Sequence, residues 1–543
     1  MGVRRAQTVH ASPGGESLQE AIEHDFTTQI VPLGKRRPTW HISAFLMSIW
    51  AGFSYVFMGF TLNEAGFTLE KAIVIIVLGT AIYWLYGIFA AYIGSRTGQT
   101  LSLLTRSVFG VWGSVLLSII IIITQAGWIG FQGNLTAQIL GAVFGWGHIL
   151  LLGIVITVVM ITNNLFGFTG VANFARYVVA PAMFLWLTYL VIKGFTTLGS
   201  GVLTAHPKAV APLGFLPALA FVTGFVMWGE EPDVFRFLKP KFVLGGASYA
   251  FALIFGFMLS GVGGWMMAQV VGSSAFGPSI RGITKFSLFG ALWLAFIMVM
   301  AGQISVNDGN YYSLINAAQN LLGSFRRWKR EYTCVAAAAI GGFAAWFVAY
   351  EITNGFEKVA SFAAIGVPTG TLIIAADHFL VPKIFGISRP LDKVPTWREA
   401  SRANWPAIIA LLVAVGLGGW ASGLLPGGAP SVNLGMVPLE SWALGVLLYL
   451  LGVWITLHLP VDTTAALGFS APARADAAAI PAGAVVDVAS EEGPDSVLPV
   501  LPSDVVGAEA VLGAEATEVS ALRTVPAGPV PDVAAGVSAG ESR

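Results

Sequence analysis

The stretch ITQAGWIGFQGN, Ile123 to Asn134, lies inside an apolar run and sets two glutamines beside a tryptophan. In a helix Gln125, Trp128 and Gln132 fall at i, i+3 and i+7 and share one face, an aromatic plate flanked by two amides. That grouping suits recognition, because the plate can stack on a flat ring while the amides hydrogen-bond its edge. An unpaired amide is costly in hydrocarbon, so both glutamines must face protein, a cavity or a ligand. Taken alone, the stretch fits either a site for a planar polar solute or glutamine bonds between helices that pack closely at the glycines.

A second stretch, VTGFVMWGEEPDVFRF from Val222 to Phe237, places Glu230, Glu231 and Asp233 in a hydrophobic segment that also holds Gly224, Gly229 and Pro232. Glycine and proline argue against a continuous helix, and irregular backbone at membrane depth is tolerated only in protein or beside a cavity. Secondary transporters build midplane sites from such broken helices. Glu230 and Glu231 are candidates for solute contact and cation coupling. Asp233 and Arg236, at i and i+3 near the cytoplasmic end, are expected to form a structural or gating ion pair. In a third stretch, GQISVNDGNYYSLINAAQN from Gly302 to Asn320, the residues Asn307, Asp308 and Asn310 are expected to interrupt a helix that Gly309 loosens. Polar groups on three separate apolar segments point to one shared site.

These groups need elements to hold them, and composition says which. Of 543 residues, 55% are hydrophobic and 11% charged, with a mean hydropathy of +0.75. That is the balance of an all-α integral membrane protein embedded in a lipid bilayer. Twelve apolar runs are long enough to span, at about 42–63, 71–94, 113–143, 147–166, 174–198, 213–235, 244–270, 286–322, 333–352, 357–381, 404–424 and 439–459. With the N-terminus inside, 20 of the 26 basic residues before position 461 fall on cytoplasmic segments, so both termini are expected in the cytoplasm.

Residues 1–38 read as a cytoplasmic N-terminal segment and 39–460 as a twelve-helix transporter domain. Residues 461–543 read as a disordered cytoplasmic tail rich in Ala, Val, Pro and Gly, carrying twelve acidic and three basic residues. The single Cys334 excludes an intrachain disulfide and a multi-thiolate metal site. Polar interruptions fall in predicted helices 1 (Ser48 to Ser54), 3, 6 and 8. That is a five-helix offset, as expected of two inverted repeats.

The run GSRTGQTLSLLTRSVFGVWGS followed by TQAGWIGFQ, together with PDVFRF, NDGNYYS and AAIGVPTGTLIIAADHFL, resembles in kind and order the bacterial cytosine permeases of the nucleobase:cation symporter-1 family. The resemblance runs from about Thr39 to Pro460. It implies the leucine-transporter-type fold, a 5+5 inverted repeat plus two helices, and import of a nucleobase, cytosine or a purine, with a cation across the cell inner membrane. It also implies that Trp128 stacks on the base, that Gln125 bonds its edge, and that Phe225 or Trp228 covers its other face. Gln132, Glu230, Asn307 and Asn310 complete the expected substrate set.

In sodium-coupled members the ion lies between carbonyls of helix 1, here the region of Ser48 and Ala51, and helix 8 hydroxyls. Those hydroxyl positions read Ser305 and Val306 in this chain, so one hydroxyl is missing. Ser48, Ala51, Ser305, Glu230, Glu231 and Asp308 are therefore the candidate cation or coupling residues, with Na+ and H+ both open. A carboxyl in a dehydrated cleft can carry a proton near neutral pH.

No organic cofactor, no metal beyond sodium and no nucleic-acid partner is expected, and the chain is expected to act as a monomer. Alternative solutes are a hydantoin- or allantoin-like compound or a vitamin, and the alternative class is a channel or facilitator. None of the seven histidines sits in a metalloenzyme motif, so the reading is not an enzyme.

Overall fold

The computed structural model describes residues 25–469, apart from 273–281, 283–285, 287–289, 323–327, 351, 391 and 429–434; at 292, 295, 350 and 352–359 it describes the backbone alone. All described residues fall in one compact unit, Met1–Pro481; the other, Ala482–Arg543, lies outside them, with most of the expected tail.

The described regular elements are helices, with one isolated parallel bridge between Arg37 and Leu238. The first expected span is two pieces, α1 (Thr39–Trp50) and α2 (Phe53–Glu64), bent by 49° at Ala51 and Gly52. Next come α3 (Leu69–Thr97) and α4 (Leu101–Phe144). Thr68 caps α3 by accepting from Lys71 N, Gly98 closes it at φ 69°, and Thr100 caps α4 by accepting from Leu103 N.

Gly110, at φ 71° and ψ −170°, breaks α4. The main-chain groups freed there bond to a later segment, Val111 N to Ser401 O at 2.9 Å and Trp112 N to Arg402 O at 3.0 Å.

The expected spans 147–166 and 174–198 are joined without a loop. Helix α5 (Ile149–Val159) passes through a 3-10 turn (Thr162–Phe166) into α6 (Gly167–Phe174), a π segment (Ala175–Val179) and α7 (Ala180–Leu198). The sixth expected span is broken, as read from its Gly and Pro residues, into α8 (Phe215–Val226) and α9 (Glu231–Phe235). Then follow α10 (Phe242–Ala252) and α11 (Leu259–Val271), α12 (Leu292–Leu322), α13 (Arg330–Tyr350), α14 (Ile352–Phe379), α15 (Val381–Phe385), α16 (Trp405–Ala421) and α17 (Val437–His458).

One expectation is overturned here, since α12 runs without a break through Asn307, Asp308, Gly309 and Asn310. Those polar side chains are paired with neighbouring helices, so the backbone keeps its ladder.

Among the described residues seven helices are long and apolar enough to cross a membrane, and the bent pair α1 and α2 makes an eighth if it is one span. Their outward faces carry large apolar side chains, such as Leu151, Phe343 and Leu447, each more than 60% exposed. A contiguous apolar exterior is a surface for lipid.

Both ends of the expected transporter domain shift. Asp25, ahead of Thr39, is buried and pairs with Arg330 at 2.5 Å, and it accepts from Phe168 N at 2.7 Å and Tyr312 Oη at 3.1 Å. Burial pushes the Asp25 carboxyl up, but Arg330, Arg236 and hydrogen bonds from Thr27 and Phe168 hold it below the usual carboxylate range.

At the other end the boundary at residue 460 is too early. Asp462 caps α18 (Thr463–Ala466), and Leu467 and Phe469 are buried. Arg389, paired with Asp377 at 2.8 Å, donates to Leu467 O at 2.6 Å and lies 4.5 Å from the Phe469 ring. A buried guanidinium that collects carbonyls docks this short apolar segment without a core of its own.

Candidate substrate and cation site

The two helix breaks meet. Trp50, the last residue of α1, donates its indole N–H to Val226 O at 3.2 Å, the last residue of α8. Its ring packs edge-on against Trp228, 6.4 Å between centroids. The second break is held open by Gly229 at φ 94°, whose carbonyl accepts from Thr371 Oγ1 of α14 at 2.7 Å, and by Tyr83 Oη of α3, which accepts from Trp228 N at 3.2 Å. Irregular backbone in a membrane protein needs such partners.

The polar face of α4 points at these breaks, as its spacing requires. Gln125 Nε2 donates to Glu230 Oε1 at 2.6 Å. The Trp128 ring stands 6.0 Å from Phe225 in an edge-to-face contact. Of the two rings expected to cover the solute, Phe225 touches Trp128, and Trp228 packs on Trp50. One and two turns farther along α4, Gln132 Oε1 and Thr136 Oγ1 accept from Gln303 Nε2 at 2.9 and 3.3 Å.

Several buried polar atoms here have no hydrogen-bond partner among the described residues, including Gln125 Oε1, Glu230 Oε2, Trp228 Nε1 and Gln303 Oε1. Buried polar groups are normally paired, so a cluster of open ones beside aromatic rings is where a polar planar ligand would be held.

The two adjacent glutamates part company. Both are fully buried, but Glu231 accepts from three phenols, Tyr83 at 2.6 Å, Tyr249 at 2.9 Å and Tyr86 at 3.4 Å. Glu231 is therefore a structural anchor for α9 against α3 and α10, whereas Glu230 turns to α4.

The expected Asp233–Arg236 ion pair is not formed. Asp233 Oδ1 accepts from Leu101 N at 2.7 Å, completing the cap of α4, and Oδ2 accepts from Asn316 Nδ2 at 2.9 Å. Arg236 reaches Asp233 only through the main-chain O, and its guanidinium clamps Phe26 O, Asp25 O and Tyr312 Oη. Main-chain groups in this buried end of the protein outcompete the local i, i+3 pairing.

Asn307 and Asn310 bond to each other, and Asn307 Nδ2 donates to Ile129 O at 3.3 Å and contacts Met160 Sδ. Asp308 accepts from Asn163 at 2.8 Å and Asn164 at 3.2 Å, in the 3-10 turn after α5. These three residues tie α12 to α4 and α5.

At the first break Ser305 Oγ donates to Ser48 Oγ at 2.7 Å, which in turn donates to Phe45 O. Val306 fills the gap beside the break, and a Cβ on Gly52 would lie 2.2 Å from Val306 Cγ2 and 3.0 Å from Gln303 Oε1. Around Ala51 and Gly52 the α12 side chains thus supply one hydroxyl, one amide oxygen and a valine.

Gln303, Trp50 and the tyrosines at 83, 86 and 249 were not singled out from sequence. Gln303 lies one residue into the third polar stretch, at i−4 to Asn307, and that spacing is the signal that could have found it.

No family model matches the chain. Cytosine permeases from three Escherichia coli strains are each 25% identical over 408 residues, covering 74% of this chain and 91% of the relative. Among solved structures, MHP1, a nucleobase-cation-symport-1 family transporter in a closed conformation with bromovinylhydantoin bound, aligns with TM-score 0.63 at 16% identity, over 80% of this chain and 97% of its own. Its inward-facing conformation aligns with TM-score 0.61 at 18% identity, over 82% and 95%. A Na+-coupled sialic acid symporter aligns with TM-score 0.56 at 12% identity, over 80% and 93%. These relatives are transporters and not enzymes, and the chain is accordingly a homologue of the cytosine permeases with the fold of the nucleobase:cation symporter-1 family.

Proposed function

We propose that this chain is a secondary active symporter that imports a nucleobase or closely related heterocycle with a cation by alternating access. The observation that carries the reading is the Gln125–Glu230 pair, which leaves an open oxygen on each partner next to Trp128 and Phe225 between two helix breaks. Trp128 stacks on the ring, Phe225 closes it from the side of α8, and Gln125 and Glu230 read one edge. Gln132, oriented by Gln303, is placed to read another. The names of the sequence relatives support a cytosine-like solute.

The chain makes twelve crossings with a five-plus-five inverted repeat, places both termini in the cytoplasm and works as a monomer. The paired breaks α1–α2 and α8–α9, five spans apart, support that topology.

The coupling ion is a proton carried by Glu230. Val306 leaves the Ser48–Ser305 contact short of the oxygens that a dehydrated sodium ion requires. Glu231 is engaged by phenols, and no side-chain cation bonds to Glu230 among the described residues. Proteoliposomes given labelled cytosine, adenine and hydantoin test the reading. Accumulation of at least one above its external concentration, lost on collapse of the ion gradient, is expected. Equilibration without accumulation would mean a facilitator, and transport of none of them would overturn the assignment.

A further inference from the structure

The open atoms around Glu230 say more about the solute than that it is flat. Gln125 donates one N–H of Nε2 to Glu230 Oε1, and its open oxygen, Oε1, is an acceptor. The free atom of Glu230, Oε2, is an acceptor when the carboxyl is ionised and a donor when it is protonated. The two open oxygens therefore offer two acceptors without a proton, and one donor beside one acceptor with it.

A nucleobase edge of the amino–imine kind presents a ring nitrogen that accepts beside an exocyclic N–H that donates. It matches the two open oxygens when Glu230 is protonated and meets them lone pair to lone pair when it is ionised. Resting on the proposed nucleobase transport, we infer that the coupling proton is itself the hydrogen-bond donor to the base, held on Glu230 Oε2 and directed at the ring acceptor, while Gln125 Oε1 accepts from the neighbouring N–H. Proton and solute then bind together because each completes the other's hydrogen bonds. The proton stays on Glu230 through the crossing and leaves toward the cytoplasm once the base has gone.

The surroundings bear on this step. The titratable groups that face Glu230 are the carboxyls of Glu231 and Asp233 on its own helix and the Tyr86 phenol from α3. From α4 it meets the uncharged Gln125. Among the described residues no side-chain cation bonds to Glu230 to hold it as a carboxylate. Glu231 does not compete for the role, since the phenols of Tyr83, Tyr86 and Tyr249 already satisfy it.

The test is calorimetric binding of cytosine, or of the base that uptake selects, and of its deaza analogue in which carbon replaces the ring nitrogen beside the amino group. Both are titrated into the purified protein across a pH series. Cytosine affinity should fall about tenfold per pH unit once Glu230 ionises, as linkage to one proton requires. On the acid side the deaza analogue should bind roughly 10- to 100-fold more weakly, the effect of leaving a buried donor unpaired. Glu230→Gln, whose amide carries a donor that does not titrate, should bind cytosine with no pH dependence.

Wild-type binding that ignores pH overturns the inference, as does equal affinity for the two bases. Affinity that rises with pH also overturns it, because the proton would then be closing Glu230 onto Gln125. In those cases bases still bind and the transport reading stands. If no base binds or is transported, that reading falls and the inference with it. Should Glu230→Gln fail to fold, the wild-type comparison decides alone.

Discussion

Trp128 is the side chain on which the account leans most at the residue scale. Its ring faces Phe225 at 6.0 Å and lies between the Gln125–Glu230 and Gln132–Gln303 contacts of α4. Trp128→Ala should remove a stacking contribution of roughly 1–3 kcal/mol and so weaken base binding by one to two orders of magnitude, while Trp128→Phe should retain part of it. Calorimetry on the folded variants reads this directly, and unchanged affinity in the alanine variant would take Trp128 out of the site.

Gly52 gives a second check. Any side chain there meets Val306 at 2.2 Å, so Gly52→Val should abolish uptake by well-inserted protein, whereas a neutral result would show that the first break tolerates rearrangement.

The face formed by Gln125, Trp128 and Gln132 was legible in the sequence because helical spacing alone puts the three together. What was not legible is which neighbour takes which partner. Glu230 and Glu231 are adjacent in sequence, and only the tyrosines of α3 and α10 tell them apart. Asp233 and Arg236 have ideal spacing for a pair, yet each is claimed by main-chain groups from distant segments that no local pattern announces.

At the scale of elements, breaks in apolar helices were readable where glycine and proline stand, as at Gly229 and Pro232. They were not readable from polar residues alone. The Asn307 to Asn310 cluster leaves α12 unbroken because amides bonding sideways do not compete with its backbone.

The ends of the domain were misjudged for a related reason, since single charged residues dock them. Truncation after Phe469 should leave thermal stability and uptake unchanged. Truncation after Pro460 should lower the melting temperature, because Arg389 loses the carbonyls of Leu467 and Gly468 and the ring of Phe469. Equal stability of the two truncated proteins would show that the docked segment contributes nothing.

Asp25→Asn leaves Arg330 buried without its carboxylate and should cost roughly 3 kcal/mol or more. The sign with pH follows from its lowered carboxyl. The stabilisation is complete above the ordinary carboxylate range and disappears as pH falls through the lower folded value. The difference in melting temperature between wild type and Asp25→Asn should therefore be largest near neutrality and shrink in acid. A difference that grows on acidification would contradict the pairing.

At the scale of the whole molecule, apolar outward faces make a membrane body. Two broken helices bring polar and aromatic side chains together inside it, and in the proposed mechanism Glu230, which bonds to no side-chain cation among the described residues, supplies the means of coupling. Class and fold were legible because hydropathy and motif order survive at low identity, while the ion was not, because it depends on a few oxygens whose positions only packing decides.

The most direct measurement is uptake of labelled cytosine, or of the base that binding selects, into proteoliposomes under an inward proton gradient with no sodium, in wild type and Glu230→Gln. Wild type should accumulate base, and the Gln variant should exchange it across the membrane without accumulating it. Wild-type uptake that requires sodium at constant pH, with undiminished accumulation by Glu230→Gln, would contradict proton coupling through Glu230.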